Sequence, residues 1–201
     1  MKQDLRTKFA DSSRGVYLFG TTPPRATTSD EATSEIADKL LDRLKHVEFD
    51  GLIVYDIQDE SSRIDMPRPF PYMRTLDPLV YSKLLREKSE KPIITYKSVS
   101  QRDKEAFIEW LDTAWNTYDV RDTVLVGSPS SEGEIKLSLN DAYAAIADHP
   151  ANFQLGGVTI AERHAVKRNE HERLISKSAN GCEFFVSQAV YNAQATIDML
   201  S

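Results

Sequence analysis

A short apolar run recurs six times along this chain, and this repeat constrains the fold more than any other feature of the sequence. Most of the runs lack the polar alternation of a half-exposed strand, which is typical of parallel strands that are buried on both faces. Each run is rich in Val, Ile, Tyr or Phe, and together they cover residues 16–19, 52–55, 93–96, 123–126, 157–160 and 184–190.

Helical patterns separate most of these runs. The segments show apolar residues at helical spacing and suitable starts, such as Ser29 before Asp30 and Asp77 before Pro78. The predicted helices cover residues 29–46, 77–85, 101–118, 139–147 and 169–178, with a sixth beginning near residue 192. A strand and a helix that alternate about every 30 to 35 residues predict an α/β protein.

Two α/β architectures fit this alternation, a doubly wound sheet and a (β/α)8 TIM barrel. A doubly wound sheet predicts a glycine-rich phosphate turn after an early strand, whereas Gly20 is followed by Thr-Thr-Pro-Pro and lacks that spacing. The strands end in polar or small residues, which in a barrel would ring the mouth that carries the chemistry. We therefore predict a single TIM-barrel domain over residues 1–201 with six readable βα units.

The length sets a further expectation for this barrel. A complete barrel takes roughly 250 residues, and the 201 residues here supply six of the eight units. We expect an incomplete barrel, which is a fragment, the product of a gene that has lost its end, or a sheet that a second protomer or another protein completes. An unpaired parallel edge would otherwise invite aggregation.

Composition excludes several classes of protein. The chain has 25 basic and 31 acidic residues, and its net charge of −6 argues against a nucleic-acid binder. No apolar run approaches the roughly 20 residues that cross a bilayer, and the first ten residues lack the apolar stretch of a secretory signal. We therefore expect a cytoplasmic protein. The single cysteine, Cys182, is expected to be a small core residue.

Two parts of the chain resemble one enzyme family. Residues 17–25 read Tyr-Leu-Phe-Gly-Thr-Thr-Pro-Pro-Arg, and residues 157–164 read Gly-Val-Thr-Ile-Ala-Glu-Arg-His. From Leu174 to Gln188, the positions of Lys177 and Gly181 follow the pattern Leu-x-x-Lys-x-x-x-Gly-Ala-x-x-x-x-Thr-Gln. In these motifs the chain resembles the methylenetetrahydrofolate reductases.

The resemblance implies a (β/α)8 barrel that binds FAD at the carboxyl ends of its strands. Such an enzyme passes a hydride from NADH or NADPH through the flavin to 5,10-methylenetetrahydrofolate, giving 5-methyltetrahydrofolate. Gln188 and Tyr55 are then assigned to the folate, and a carboxamide suits a pterin edge because it offers a donor beside an acceptor. The residues assigned to FAD are Thr95, Gly127, Ser128, Glu162, His164 and Lys177.

The chain departs from the family at two acidic positions. Gly20 stands where the family has a glutamate that helps to protonate the folate, and Ser128 stands where it has an aspartate. We expect Asp56 or Glu60, on the loop after the second strand, to supply the missing acid. The departures leave two alternatives open: a reductase-like barrel with altered chemistry, such as folate-binding methyl transfer or partner-dependent reduction, and a non-catalytic interaction module.

A long loop over residues 58–78 follows the second predicted strand. It contains four prolines and a group of basic and aromatic residues, namely Arg63, Arg68, Phe70, Tyr72 and Arg74. Loops of this length at a barrel mouth are commonly functional or disordered. Its composition suits a planar anionic ligand and a partner protein equally.

Overall fold

The computed structural model describes residues 4–59, 72–128 and 135–201, and within these ranges it has one six-stranded sheet and eight helices. The strands are β1 (Leu18–Thr21), β2 (Gly51–Val54), β3 (Ile93–Ser98), β4 (Asp122–Val126), β5 (Gln154–Thr159) and β6 (Phe184–Ser187). The helices are α1 (Leu5–Ala10), α2 (Asp30–Leu44), α3 (Pro78–Ser89), α4 (Lys104–Asn116), α5 (Leu139–Ala147), α6 (Ala161–Lys167), α7 (Glu170–Ala179) and α8 (Ala193–Leu200).

The strands lie in the sheet in chain order, and every neighbouring pair is parallel. A doubly wound sheet would reverse its strand order at a switch point, and no reversal occurs among these six strands. The prediction of six parallel strands in an α/β, TIM-like arrangement is therefore confirmed. None of the helices in the described ranges is long and apolar enough to cross a membrane.

Some element boundaries differ from the prediction. β1 begins at Leu18 rather than at residue 16, because pairing with β2 starts where Leu18 meets Gly51. β6 ends at Ser187 because β5 passes into α6 soon after Thr159, which leaves later residues without a neighbouring strand. Helices α1 and α6 were not predicted, since six or seven residues are too few to show a helical period.

The two faces of the sheet build two apolar layers. On the outer face, α2 and α3 cover β2 and β3, and α4 and α5 cover β4 and β5. Cys182 is buried in the second of these clusters, as predicted. The inner face carries its own cluster, whose buried members are Leu5, Ile53, Ile94, Tyr96, Val124 and Phe184.

Helix α1 closes the inner face at the amino ends of the strands. Leu5 is fully buried, and the ring of Phe9 stacks on Phe184 with a centroid separation of 4.8 Å. The guanidinium of Arg6 donates to the Phe153 carbonyl at 3.1 Å and to the Glu183 carboxylate at 3.0 Å. The first helix therefore holds the last two strands in place.

Gly156 is required by the same packing. A Cβ at this position would lie 2.4 Å from the ring of Phe184, which is buried and stacked on Phe9 and so has little room to move. The close approach of ring and backbone explains why the middle of a buried strand carries glycine.

We predict that Gly156→Ala lowers the free energy of unfolding by about 1–3 kcal/mol, because it overpacks the inner layer. Urea unfolding followed by circular dichroism measures this. Gly127→Ala is the matched control, since its Cβ would lie 3.8 Å from the nearest atom, in ordinary contact. Equal effects of the two variants would contradict the packing explanation.

Asp122 is a buried carboxylic acid at the amino end of β4. It is 7% exposed, and the charged groups around it are Asp4, Arg6, Arg121 and Glu183. Burial raises the pKa of Asp122 to about 7, and the acidic neighbours add to this effect. The folded protein therefore holds a proton here that the unfolded chain releases near pH 3.8.

Between the pKa of Asp122 in the unfolded chain, 3.8, and its pKa in the folded protein, about 7, the folded state binds more protons than the unfolded state. Asp122 therefore makes the free energy of unfolding fall as the pH rises from about 4 to about 7. We predict that Asp122→Asn removes this slope, so that the variant gains stability over wild type as the pH rises. Unfolding measured from pH 4 to pH 8 tests this, with the exposed Asp148→Asn as control. Parallel curves for wild type and Asp122→Asn would contradict it.

Candidate ligand site at the carboxyl ends of the strands

Exposure of the inner face increases toward the carboxyl ends of the strands. Ile53, Ile94, Val124 and Phe184 are buried in the middle of the face. The next inner residues toward the carboxyl end are less buried: Tyr55, Val126 and Val186 are half-buried, and only Tyr96 among them stays buried. Val158 on β5 is also half-buried. We call this half-buried group, Tyr55, Val126, Val158 and Val186, the inner surface. It offers apolar area on which a flat ring could lie.

Two tyrosines form the part of this region nearest β2 and β3. The rings of Tyr55 and Tyr96 meet edge to face with centroids 5.0 Å apart. Tyr96 is 7% exposed, and burial raises the pKa of its phenol, which keeps it neutral. Tyr55 is the more accessible of the two.

Tyr55 also explains why Gly20 is a glycine. A Cβ at Gly20 would lie 2.5 Å from the Tyr55 hydroxyl oxygen and 2.7 Å from a ring carbon. A glutamate, which the resemblance leads one to expect at this position, would need the tyrosine ring to move away. The ring of Tyr55 therefore takes the space that a side chain at position 20 would need.

Polar groups border the inner surface. Gln188 follows β6, is exposed, and uses its backbone N–H to bond the Thr159 carbonyl at 2.9 Å. Gly127 and Ser128 follow β4 and are half-buried. The hydroxyl of Ser98 is buried without a hydrogen-bond partner in the described part of the chain. The structure thus brings Tyr55, Gly127, Ser128 and Gln188 to the same end of the sheet.

Asp56 points to the other face of β2. Its Oδ2 accepts from the Ser98 backbone N–H at 2.8 Å, and its Oδ1 accepts from the Gln58 amide at 2.9 Å. The same Oδ2 lies 3.9 Å from the Lys97 Nζ. Burial raises the pKa of Asp56 and lowers the pKa of Lys97. Asp56 is therefore held beside Lys97 behind the inner surface, and Glu60 lies outside the described residues.

Thr95 and Lys177, both assigned to FAD, lie on the outer side of the sheet. The Thr95 hydroxyl donates to the Ser82 hydroxyl of α3 at 2.9 Å, and Thr95 is 1% exposed. The Lys177 ammonium on α7 donates to the Val158 carbonyl, and burial lowers its pKa. Both polar groups are engaged in holding helices to strands.

Glu162 and His164 lie on α6, just after β5. The Glu162 carboxylate accepts from the Tyr191 backbone N–H at 3.3 Å. His164 is 5% exposed and packs edge to face on His171, with ring centroids 5.3 Å apart. Sequence reasoning missed the neighbouring Glu170, which is fully buried and accepts from the Ile160 N–H at 3.1 Å. Its position in the first turn of a helix gave no sign of this burial.

The residues assigned to FAD therefore occupy three separate places: the outer face, helix α6 and the end of β4. As placed, they do not form one cradle for a flavin diphosphate, so we derive no step through flavin, and FAD binding rests on the sequence resemblance alone. Among the residues that the structure describes, no group of three or more His, Cys, Asp or Glu could hold a metal ion.

We predict that Gly20→Ala destabilises the protein by about 1–3 kcal/mol through its collision with Tyr55. In a Tyr55→Ala background the same change should cost much less, because the ring is gone. A double-mutant cycle on unfolding free energies measures the coupling. The same cost in both backgrounds would show that Tyr55 does not restrict this position.

Comparison with known proteins gives matches only at the level of structure. No protein-family model matches the chain, and no curated protein matches it. The chain is similar to an uncharacterized protein from Clostridium thermocellum that binds two copies of 5-methyl-5,6,7,8-tetrahydrofolic acid, with 32% identity and a TM-score of 0.79. The match covers 98% of this chain and 61% of the other.

Two further structures share the fold at low identity. A putative lyase/mutase from Burkholderia cenocepacia J2315 matches with 12% identity and a TM-score of 0.58 over 97% of this chain. The 2,3-dimethylmalate lyase, a PEP mutase/isocitrate lyase superfamily member, matches with 10% identity and a TM-score of 0.62 over 98%. Each match spans 66% of the other protein, and these likenesses show the fold alone. The matches do not show the methylenetetrahydrofolate reductase family.

Proposed function

We propose that this chain binds a reduced folate of the 5-methyltetrahydrofolate class at the carboxyl ends of its strands. The observation that carries the proposal is the similarity, at 32% identity over 98% of this chain, to a protein that binds 5-methyltetrahydrofolate. Since this chain spans 61% of that protein, folate binding by these residues is our inference.

The inner surface supports the proposal through its chemistry. Its half-buried valines and the Tyr55 ring suit the flat face of a pterin, which would cover apolar area that is now open. The Gln188 carboxamide supplies a donor and an acceptor at the border, and makes no hydrogen bond to the described residues. The buried Ser98 hydroxyl is a further group without a partner in the described ranges.

We also propose that the six strands are part of a (β/α)8 barrel. The strands follow chain order, and their inner face carries a core of its own, as in a barrel. The remaining strands would come from another segment or from a second protomer, and they would border the inner surface next to Gln188.

Altered chemistry is favoured over reduction of 5,10-methylenetetrahydrofolate through FAD. Tyr55 takes the space of the expected acid at Gly20, and the carboxylate of Asp56 is occupied behind the inner surface. Among the described residues, neither Gly20 nor Asp56 offers a free carboxylate at the inner surface, and this suits methyl transfer or a reduction that depends on a partner. FAD-dependent reduction is the second candidate, on the strength of the sequence motifs.

We predict that wild type binds 5-methyltetrahydrofolate and that Gln188→Ala weakens this binding by roughly 1–3 kcal/mol, because a hydrogen-bonding group is lost. Calorimetric titration measures both. The control is Gln194→Ala, an exposed glutamine on α8 whose amide bonds Asp198, and it should leave the affinity unchanged. No binding by wild type contradicts the proposed function, while equal loss in both variants contradicts the role of Gln188.

An absorption spectrum separates the two candidates. We expect no flavin bands near about 370 and 450 nm after FAD is added and free flavin is removed. Bound flavin that bleaches with NADH or NADPH would contradict this expectation and support the oxidoreductase.

A further inference from the structure

A polar pocket of about 440 Å³ lies beside the inner surface, at the carboxyl ends of β2 and β3. It is separate from a cavity of about 790 Å³ at the amino ends of the strands, which Asp122 lines. Three basic residues line the smaller pocket together with two acidic ones: Arg74, Lys97, Arg102, Asp56 and Asp77.

Lys97 is a buried cation whose charge is only partly compensated. It is 6% exposed, and its Nζ lies 3.9 Å from Asp56, beyond hydrogen-bond distance. The nearest ring is Trp110, with its centroid 5.5 Å from the ammonium. The Lys97 side chain is largely removed from water, and its ammonium has an ion-pair partner in Asp56 but no close hydrogen bond to it. An anion in the pocket, which Lys97 lines, would supply such a hydrogen bond.

The two acidic residues are already committed to the protein. Asp56 accepts from Ser98 and Gln58, and the Asp77 carboxylate accepts from the Leu79 N–H at 2.8 Å at the start of α3. By contrast, the guanidinium groups of Arg74 and Arg102 have no hydrogen-bond acceptor in the part of the chain that the structure describes. The pocket therefore offers three cationic donors and two occupied carboxylates.

We propose that this pocket binds the carboxylates of the glutamyl tail of the folate, an inference that rests on the proposed function. Guanidinium groups pair with carboxylates through two parallel hydrogen bonds, so two arginines and a lysine suit a tail with two carboxylates. The end of β2 connects the two places, since Tyr55 belongs to the inner surface and the next residue, Asp56, lines the pocket. A pterin on Tyr55 would extend its tail over the end of β2.

The test compares two ligands that differ only in the tail region, 5-methyltetrahydrofolate and 5,6-dimethyltetrahydropterin, which keeps the N5 methyl group but lacks the aminobenzoyl-glutamate. Wild type should bind the folate more tightly. We predict that Arg102→Gln weakens folate binding by about tenfold, because one tail carboxylate loses its charged partner, and leaves pterin binding unchanged. The matched control is Arg43→Gln, an exposed arginine on α2, which should change neither affinity.

The outcomes separate the two levels of the proposal. If Arg102→Gln lowers the affinity for both ligands equally, or for neither of them, the tail assignment is wrong and folate binding stands. If wild type binds neither ligand, the proposed function fails and the tail assignment fails with it. Glutarate that binds alone as tightly as the folate would identify a site for free dicarboxylates and overturn the tail assignment. If Arg102→Gln does not fold, Arg74→Gln carries the same test, because Arg74 is exposed.

Discussion

Packing of α1 against the inner face of the sheet is the interaction on which the other features depend. Leu5 and Phe9 fill the amino end of this face and meet Phe184, while the middle is filled by residues such as Ile94 and Val124. Each large side chain buried in this way contributes about 1.5–3 kcal/mol. Because α1 covers the amino end, the described residues of the inner face are most exposed toward the carboxyl ends of the strands.

The alternation of side chains along β2 and β3 divides that carboxyl end into two different environments. The rings of Tyr55 and Tyr96 lie on the inner side of the sheet, whereas Asp56 and Lys97, each the next residue in the chain, lie on the other side. Consecutive residues, such as Tyr55 and Asp56, thus contribute one to an aromatic surface and the other to a charged pocket. A ligand with a flat apolar head and an anionic tail would match both.

The strands and most helices could be predicted from the sequence because their apolar patterns are long and bounded by turn residues. The side of the sheet to which the Thr95 side chain points could not be predicted, because β3 is buried on both faces and its sequence does not indicate which residues point inward. In the sequence, Lys97 is simply a polar residue near the end of an apolar run, and its burial depends in part on Trp110, which lies on the following helix. The helical pattern over residues 169–178 placed Lys177 on a helix, but neither it nor the motif revealed that the Lys177 ammonium bonds the Val158 carbonyl.

The contact between α1 and the last strands has a consequence for the order of folding. Arg6 and Glu183 are 177 positions apart, so α1 cannot dock until nearly the whole sheet has been synthesised. Contacts of this range require the closure of a very long loop and slow the search for the native state. Until then, the apolar side chains of Leu5 and Phe9 and the inner face of the growing sheet stay open to water, which makes this the stage most prone to aggregation.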